Sequence, residues 1–148
     1  MTITPPLLVA MAGRKPRLRK AQVPIAKEDA LHIPVANLLR AHAKPDWRWT
    51  HVAHGGMELP PRTAAKLKAM GLRPGWPDFI LISPMCKFHC LELKSLKGRL
   101  SDDQKDFRDW CDKHGTPYVV CRTIDEVLTI FGEWECIEGM IYAAHSPR

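Results

Sequence analysis

No apolar run in this chain reaches the ~20 residues that a membrane-spanning helix requires, so no such span is expected. H-E-x-x-H, G-x-S-x-G and G-x₄-G-K-[ST] are all missing, which leaves zinc-peptidase, serine-hydrolase and P-loop chemistry without a motif. Cysteine is scarce and odd in number, at five, and its spacing outlines no disulfide framework. A reducing, intracellular compartment is therefore expected. Cys86, His89 and Cys90 do not have the paired spacing of structural zinc sites, nor do Cys111 and His114. Cys90 and Cys111 read instead as small apolar packers. No internal repeat or low-complexity tract is present.

Acidic residues are absent from positions 1–27, which hold six basic ones: Arg14, Lys15, Arg17, Arg19, Lys20 and Lys27. The formal charge of +6 therefore resides there, and the rest of the chain is balanced. Positions 4–12 are apolar, but Pro5 and Pro6 break them and no charged segment precedes them, so a secretory signal is not expected. The same region lacks serine, which argues against an organelle transit peptide. Residues 1–24 are expected to form a basic, extended or disordered arm able to contact phosphates. Residues 25–148 are expected to form one domain, long enough to bury a core.

The densest signal lies between Gly75 and Gln104. Positions 79–82 and 88–93 read as two strands joined by a short connection holding Pro84. Strand alternation puts Glu92 and Lys94 on one face, about 6–7 Å apart along the strand, with Leu91 and Leu93 on the other. Charges among leucines need partners, because an unpaired buried charge is costly. If the strands pair as a hairpin, Asp78 reaches the same end of the sheet. Two carboxylates and one ammonium then meet in an oxygen-rich site suited to Mg²⁺ or Mn²⁺.

Around this core the periodicity predicts a helix over 27–43, with Leu31, Val35, Leu38 and Leu39 as its stripe and Pro34 as a kink or a late start. A strand is expected over 47–54, with His51 and His54 near its end and a tight turn at Gly55 and Gly56. A short helix over 61–70 stops at Gly71. Ser101 with Gln104 forms a capping box that opens another helix. Its expected apolar face is Phe107, Trp110, Cys111 and His114, and Gly115 is its stop. A strand over 118–122 follows. Thr123 and Glu126 then cap a helix through Phe131, with Gly132 beyond it. Residues 133–148 carry no clear assignment. Lys97 and Arg99, in a basic turn just after Lys94, are candidate phosphate contacts, as are Lys66, Arg73 and His54. Trp76 is either a packing residue or a ring for a base to stack on.

The order G-x-P-D at Gly75 to Asp78, E-L-K at Glu92 to Lys94, then K-G-R-L-S-D-D-Q ending at Gln104 resembles the VRR-NUC branch of the PD-(D/E)xK nuclease superfamily. H-V-A-H-G-G from His51 and K-L-K-A-M-G from Lys66 add to the likeness, which covers roughly residues 28–122. The resemblance implies an α/β, restriction-endonuclease-like core of αβββαβ order, with a small mixed sheet flanked by helices. It implies a divalent-metal site of Asp78, Glu92, the Leu93 carbonyl and, from the first helix, Glu28. Lys94 would position water and stabilise developing charge, and Gln104 would join the active site, in competition with its capping role. The family's glutamine four residues after the helix acid is replaced here by His32. The family acts on branched or flapped DNA. Its short stand-alone members resemble phage or bacterial junction-resolving enzymes that work as homodimers in the cytoplasm without an organic cofactor. Other readings are a restriction-type or repair nuclease on the same core, a non-catalytic DNA-binding module, and a plain ion pair between Glu92 and Lys94.

Overall fold

Two apolar runs seed the sheet. Strand β2 (Phe79–Ile82) and strand β3 (Phe88–Leu93) pair antiparallel, with Phe79 opposite Leu91 and Ile82 opposite Phe88. The turn between them takes Cys86 through a positive φ of 58°, and its amide donates to the Ser83 carbonyl at 2.8 Å. The computed structural model describes residues 29–52 and 59–139. The expected arm at 1–24, Glu28, His54 and the last nine residues lie outside them.

Strand β1 (Arg48–His51) pairs antiparallel with β2, and β4 (Tyr118–Cys121) pairs parallel with β3. The sheet order is β1-β2-β3-β4. A parallel pair needs a crossover, and helix α3 (Asp102–His114) supplies it. With α1 (Asp29–His42), α2 (Pro61–Ala69) and α4 (Ile124–Glu133), this is the expected mixed α/β core, with α2 inserted between the first two strands. No helix among the described residues is long and apolar enough to cross a membrane.

Alternation divides the sheet into two faces. Phe79, Leu81, Leu91, Leu93 and Cys121 point toward α1 and α4, where Val35, Leu39, Val127 and Phe131 close a core of fully or nearly fully buried side chains. Ile80, Cys90 and Glu92 occupy the face that α3 covers. Helix α1 continues through Pro34, which has no N–H to offer the carbonyl one turn back.

Three local expectations are corrected. Helix α4 does not end before Gly132 but continues to Glu133. Glu135 takes the left-handed position (φ 55°), and the Cys136 amide reaches back to the Phe131 carbonyl at 3.1 Å, seating Cys136 fully buried. The cap of α4 is also only half a box. Thr123 accepts from the Glu126 amide, while the Glu126 carboxylate accepts from the Arg122 amide at 2.6 Å. His114 is not a core residue; it is exposed and lies against Trp110, itself 54% exposed, with ring centroids 4.7 Å apart. Part of the unassigned C-terminal stretch completes the domain. Cys136 and Ile137 are buried, and Ala43 bridges to Ile137.

Candidate active site

The approach to the site runs through Gly75, whose φ of 88° favours glycine. A Cβ there would lie 2.5 Å from the backbone oxygen of Asp103. The loop is therefore seated directly on the first turn of α3. Pro77 is fully buried, and Asp78 follows at the mouth of β2. Beyond the Phe79–Leu91 pair the β2–β3 ladder gives way to a side chain: the Leu93 N–H donates to Asp78 Oδ2 at 2.7 Å. Leu93 stands between Glu92 and Lys94, so this bond ties the P-D loop to the E-L-K segment.

Glu92 is fully buried, and its Oε1 accepts from Lys94 Nζ at 2.9 Å and from Gln104 Nε2 at 2.6 Å. Gln104 fills its capping role and also reaches Glu92. Its Oε1 accepts from the Ser101 N–H at 3.0 Å and completes the capping box, while its Nε2 donates to Glu92. An amide has a donor end and an acceptor end, so helix start and carboxylate can share one side chain.

On the α1 side, His32 Nε2 lies 3.2 Å from Asp78 Oδ1. One ligand atom each from His32, His51 and Asp78 fall within 4.8 Å of one another. The two histidine rings meet edge to face at 5.3 Å, and both rest on Phe79, at 6.2 Å and 5.1 Å. The Val52 amide donates to the Asp78 carbonyl at 2.8 Å, which fixes β1 to the same loop. Burial pushes the Asp78 carboxyl up. The His32 contact, the Leu93 N–H and the charge of Lys94 outweigh it and hold the group below its usual value of 3.8. Asp78 is thus favoured in its ionised form.

The structure brings together Asp78, Leu93, Glu92, Lys94 and Gln104. Leu93 makes its contact through its N–H. Glu28, the remaining expected ligand, and His54 lie outside the described residues. Lys97, Arg99, Lys66 and Arg73 are all exposed. The turn that carries Lys97 and Arg99 is shaped by Arg122, whose Nη1 donates to the Ser95 and Gly98 carbonyls at 2.7 Å and 2.8 Å. Arg73 and Trp76 line a cleft of about 720 Å³ between α3 and the sheet, and Trp76 packs on Phe107 at 5.0 Å.

Sequence reasoning did not assign His32, His51 or Arg122. The replacement of glutamine by His32 and the position of His51 on β1 were the available signals for two of them. Nothing local marks Arg122, whose partners lie 24 and 27 residues away.

The profile of the VRR-NUC domain matches residues 40–124. Among solved structures, a VRR-NUC domain protein superposes with a TM-score of 0.58 at 23% identity, over 74% of this chain and 88% of that one. The structure of paFAN1 bound to 1-nt 5′-flap DNA with a gap matches at 32% identity and a TM-score of 0.31, over 43% of this chain and 13% of that one. No curated protein matches the chain.

Proposed function

The chain belongs to the VRR-NUC domain family, a family of nucleases, and on that premise we propose that it is a divalent-metal-dependent DNA endonuclease selective for branched substrates such as four-way junctions or flaps. The observation that carries this reading is the bond from the Leu93 N–H to the Asp78 carboxylate, which holds an ionised acid against the Glu92–Lys94 pair.

Carboxylate and carbonyl oxygens are the donors a hard divalent ion takes. Asp78 would hold it, with Glu92, the Leu93 carbonyl and Glu28 as further oxygen donors. When bound, a Mg²⁺ or Mn²⁺ ion supplies Lewis-acid polarisation of a phosphate oxygen and acidification of a water. The side chains of the chain itself do the rest. Gln104 and Lys94 both bind Glu92 Oε1, so the carboxylate orients the ammonium. Lys94 then places a positive charge where negative charge builds on phosphorus-bound oxygens. Lys97, Arg99, Lys66, Arg73 and His54 contact neighbouring phosphates and set register without reading sequence. Residues 1–24 form a basic arm that adds non-specific affinity, and residues 25–148 form the nuclease domain. Two copies pair to present two sites to two strands of a junction.

The test is cleavage of end-labelled four-way junction, 5′-flap and linear duplex DNA in Mg²⁺, in Mn²⁺ and in chelator. Metal-dependent cleavage of the branched substrates is expected, with Asp78→Ala and Lys94→Ala slower by at least about a hundredfold. An Asp78→Ala protein that cleaves like the wild type would remove the mechanism.

A further inference from the structure

The oxygen-donor set expected of this nuclease does not account for the two imidazoles that converge on Asp78. His32 comes from α1 and His51 from β1, elements separated in sequence, and their ligand atoms lie within 4.8 Å of one another and of the carboxylate. Both rings are buttressed by Phe79, a fully buried core residue, so the convergence is held by the packed interior. His51 is exposed, which leaves the cluster open to solvent and to an incoming ion.

We infer that His32, His51 and Asp78 form a two-histidine, one-carboxylate centre that selects a first-row transition ion such as Mn²⁺ over Mg²⁺. The inference rests on the nuclease reading for Asp78 and deepens it by naming the ion class. Its chemistry follows from donor softness. Mg²⁺ prefers oxygen ligands and sheds water reluctantly, so nitrogen donors add little to its binding. Imidazole is a good ligand for first-row transition ions, and affinity for such ions rises from Mn²⁺ onward along the series. Two imidazoles therefore raise transition-ion affinity far more than Mg²⁺ affinity. His32 stands where the resembled family carries glutamine, an oxygen donor. The substitution His32→Gln thus swaps the donor type while keeping a polar side chain of similar reach.

The experiment uses the full chain, with free Mn²⁺ titrated by electron paramagnetic resonance and Mg²⁺ by competition against bound Mn²⁺. Wild-type protein is expected to bind Mn²⁺ at least about tenfold more tightly than Mg²⁺. Its spin-echo spectrum should show the modulation of directly coordinated ¹⁴N. His32→Gln and His51→Gln are each expected to weaken Mn²⁺ binding by about tenfold or more, to diminish the ¹⁴N modulation, and to change Mg²⁺ affinity less than about twofold. The wild-type spectrum needs no variant, so poor folding of either substitution does not remove the test. A wild-type Mn²⁺ complex without ¹⁴N modulation would overturn the inference. So would histidine variants with unaltered Mn²⁺ affinity. If Asp78→Asn still abolished Mn²⁺ binding in that case, the nuclease reading would stand and only the role of the imidazoles would fall. Absence of Mn²⁺ binding together with absence of DNA cleavage would remove both.

Discussion

The two faces of the sheet come from the same four strands and are put to different uses. On the α1–α4 face, Phe79, Leu81, Leu91 and Leu93 are 3% exposed or less and meet apolar helix residues. His89 is the polar residue buried there, and its ring sits between Trp47 and Trp134, at 5.1 Å and 5.0 Å. On the α3 face the strands bury Glu92 beside Cys90, and α3 leaves a cleft walled by Trp76, Phe107 and Trp110. One face contributes stability through apolar area. The other holds a buried charge that is costly without partners, and Lys94 and Gln104 both meet its Oε1. The closed face thus backs the strands on which a buried carboxylate is held at the half-covered face.

Breaking the closed face has the largest expected effect on stability. Phe131 is fully buried in the core, and Phe131→Ala is expected to cost about 3–5 kcal/mol in urea unfolding. Any folded fraction should still cleave. On the open face, Lys94→Met strips the buried Glu92 carboxylate of its ion pair and is expected to cost about 3 kcal/mol. The double substitution Glu92→Gln with Lys94→Met should recover most of that stability and none of the activity. A double variant no more stable than Lys94→Met alone would show that the pair is not what makes this face costly.

A smaller effect is expected at the seam between loop and helix. Gly75→Ala forces a side chain onto a positive φ and against Asp103, and should cost upwards of about 1 kcal/mol. Because the same loop carries Asp78, cleavage should fall as well. The smallest effect belongs to His89. Burial holds its pKa below the ordinary 6.5, so the folded state favours the neutral ring. As pH falls through 6.5 the unfolded chain binds the proton first, and stability declines until the folded pKa is passed. His89→Phe should flatten the unfolding free energy against pH in that window, relative to wild type.

Much of this division was legible beforehand. The bounds of β2 and β3 follow from apolar runs ended by turn residues, and the start of α3 follows from Ser101 and Gln104. The pairing of Glu92 with Lys94 follows from strand alternation. The misses share a cause in long-range packing. Gly132 looked like a stop, but the chain turns three residues later, where Cys136 finds a buried seat. His114 has helical spacing from Phe107, yet α3 sits over an open cleft, so its outer residues stay in solvent. His32 reaches Asp78 across 46 positions, a contact that no local pattern encodes.

The most direct test of the central claim is anomalous diffraction at the manganese edge from crystals of the full chain equilibrated with Mn²⁺. A peak is expected within about 2.0–2.5 Å of an Asp78 carboxylate oxygen, beside the Glu92–Lys94 pair. Saturated crystals with Asp78 still bonded to the Leu93 N–H and His32, and with manganese bound only elsewhere, would contradict it.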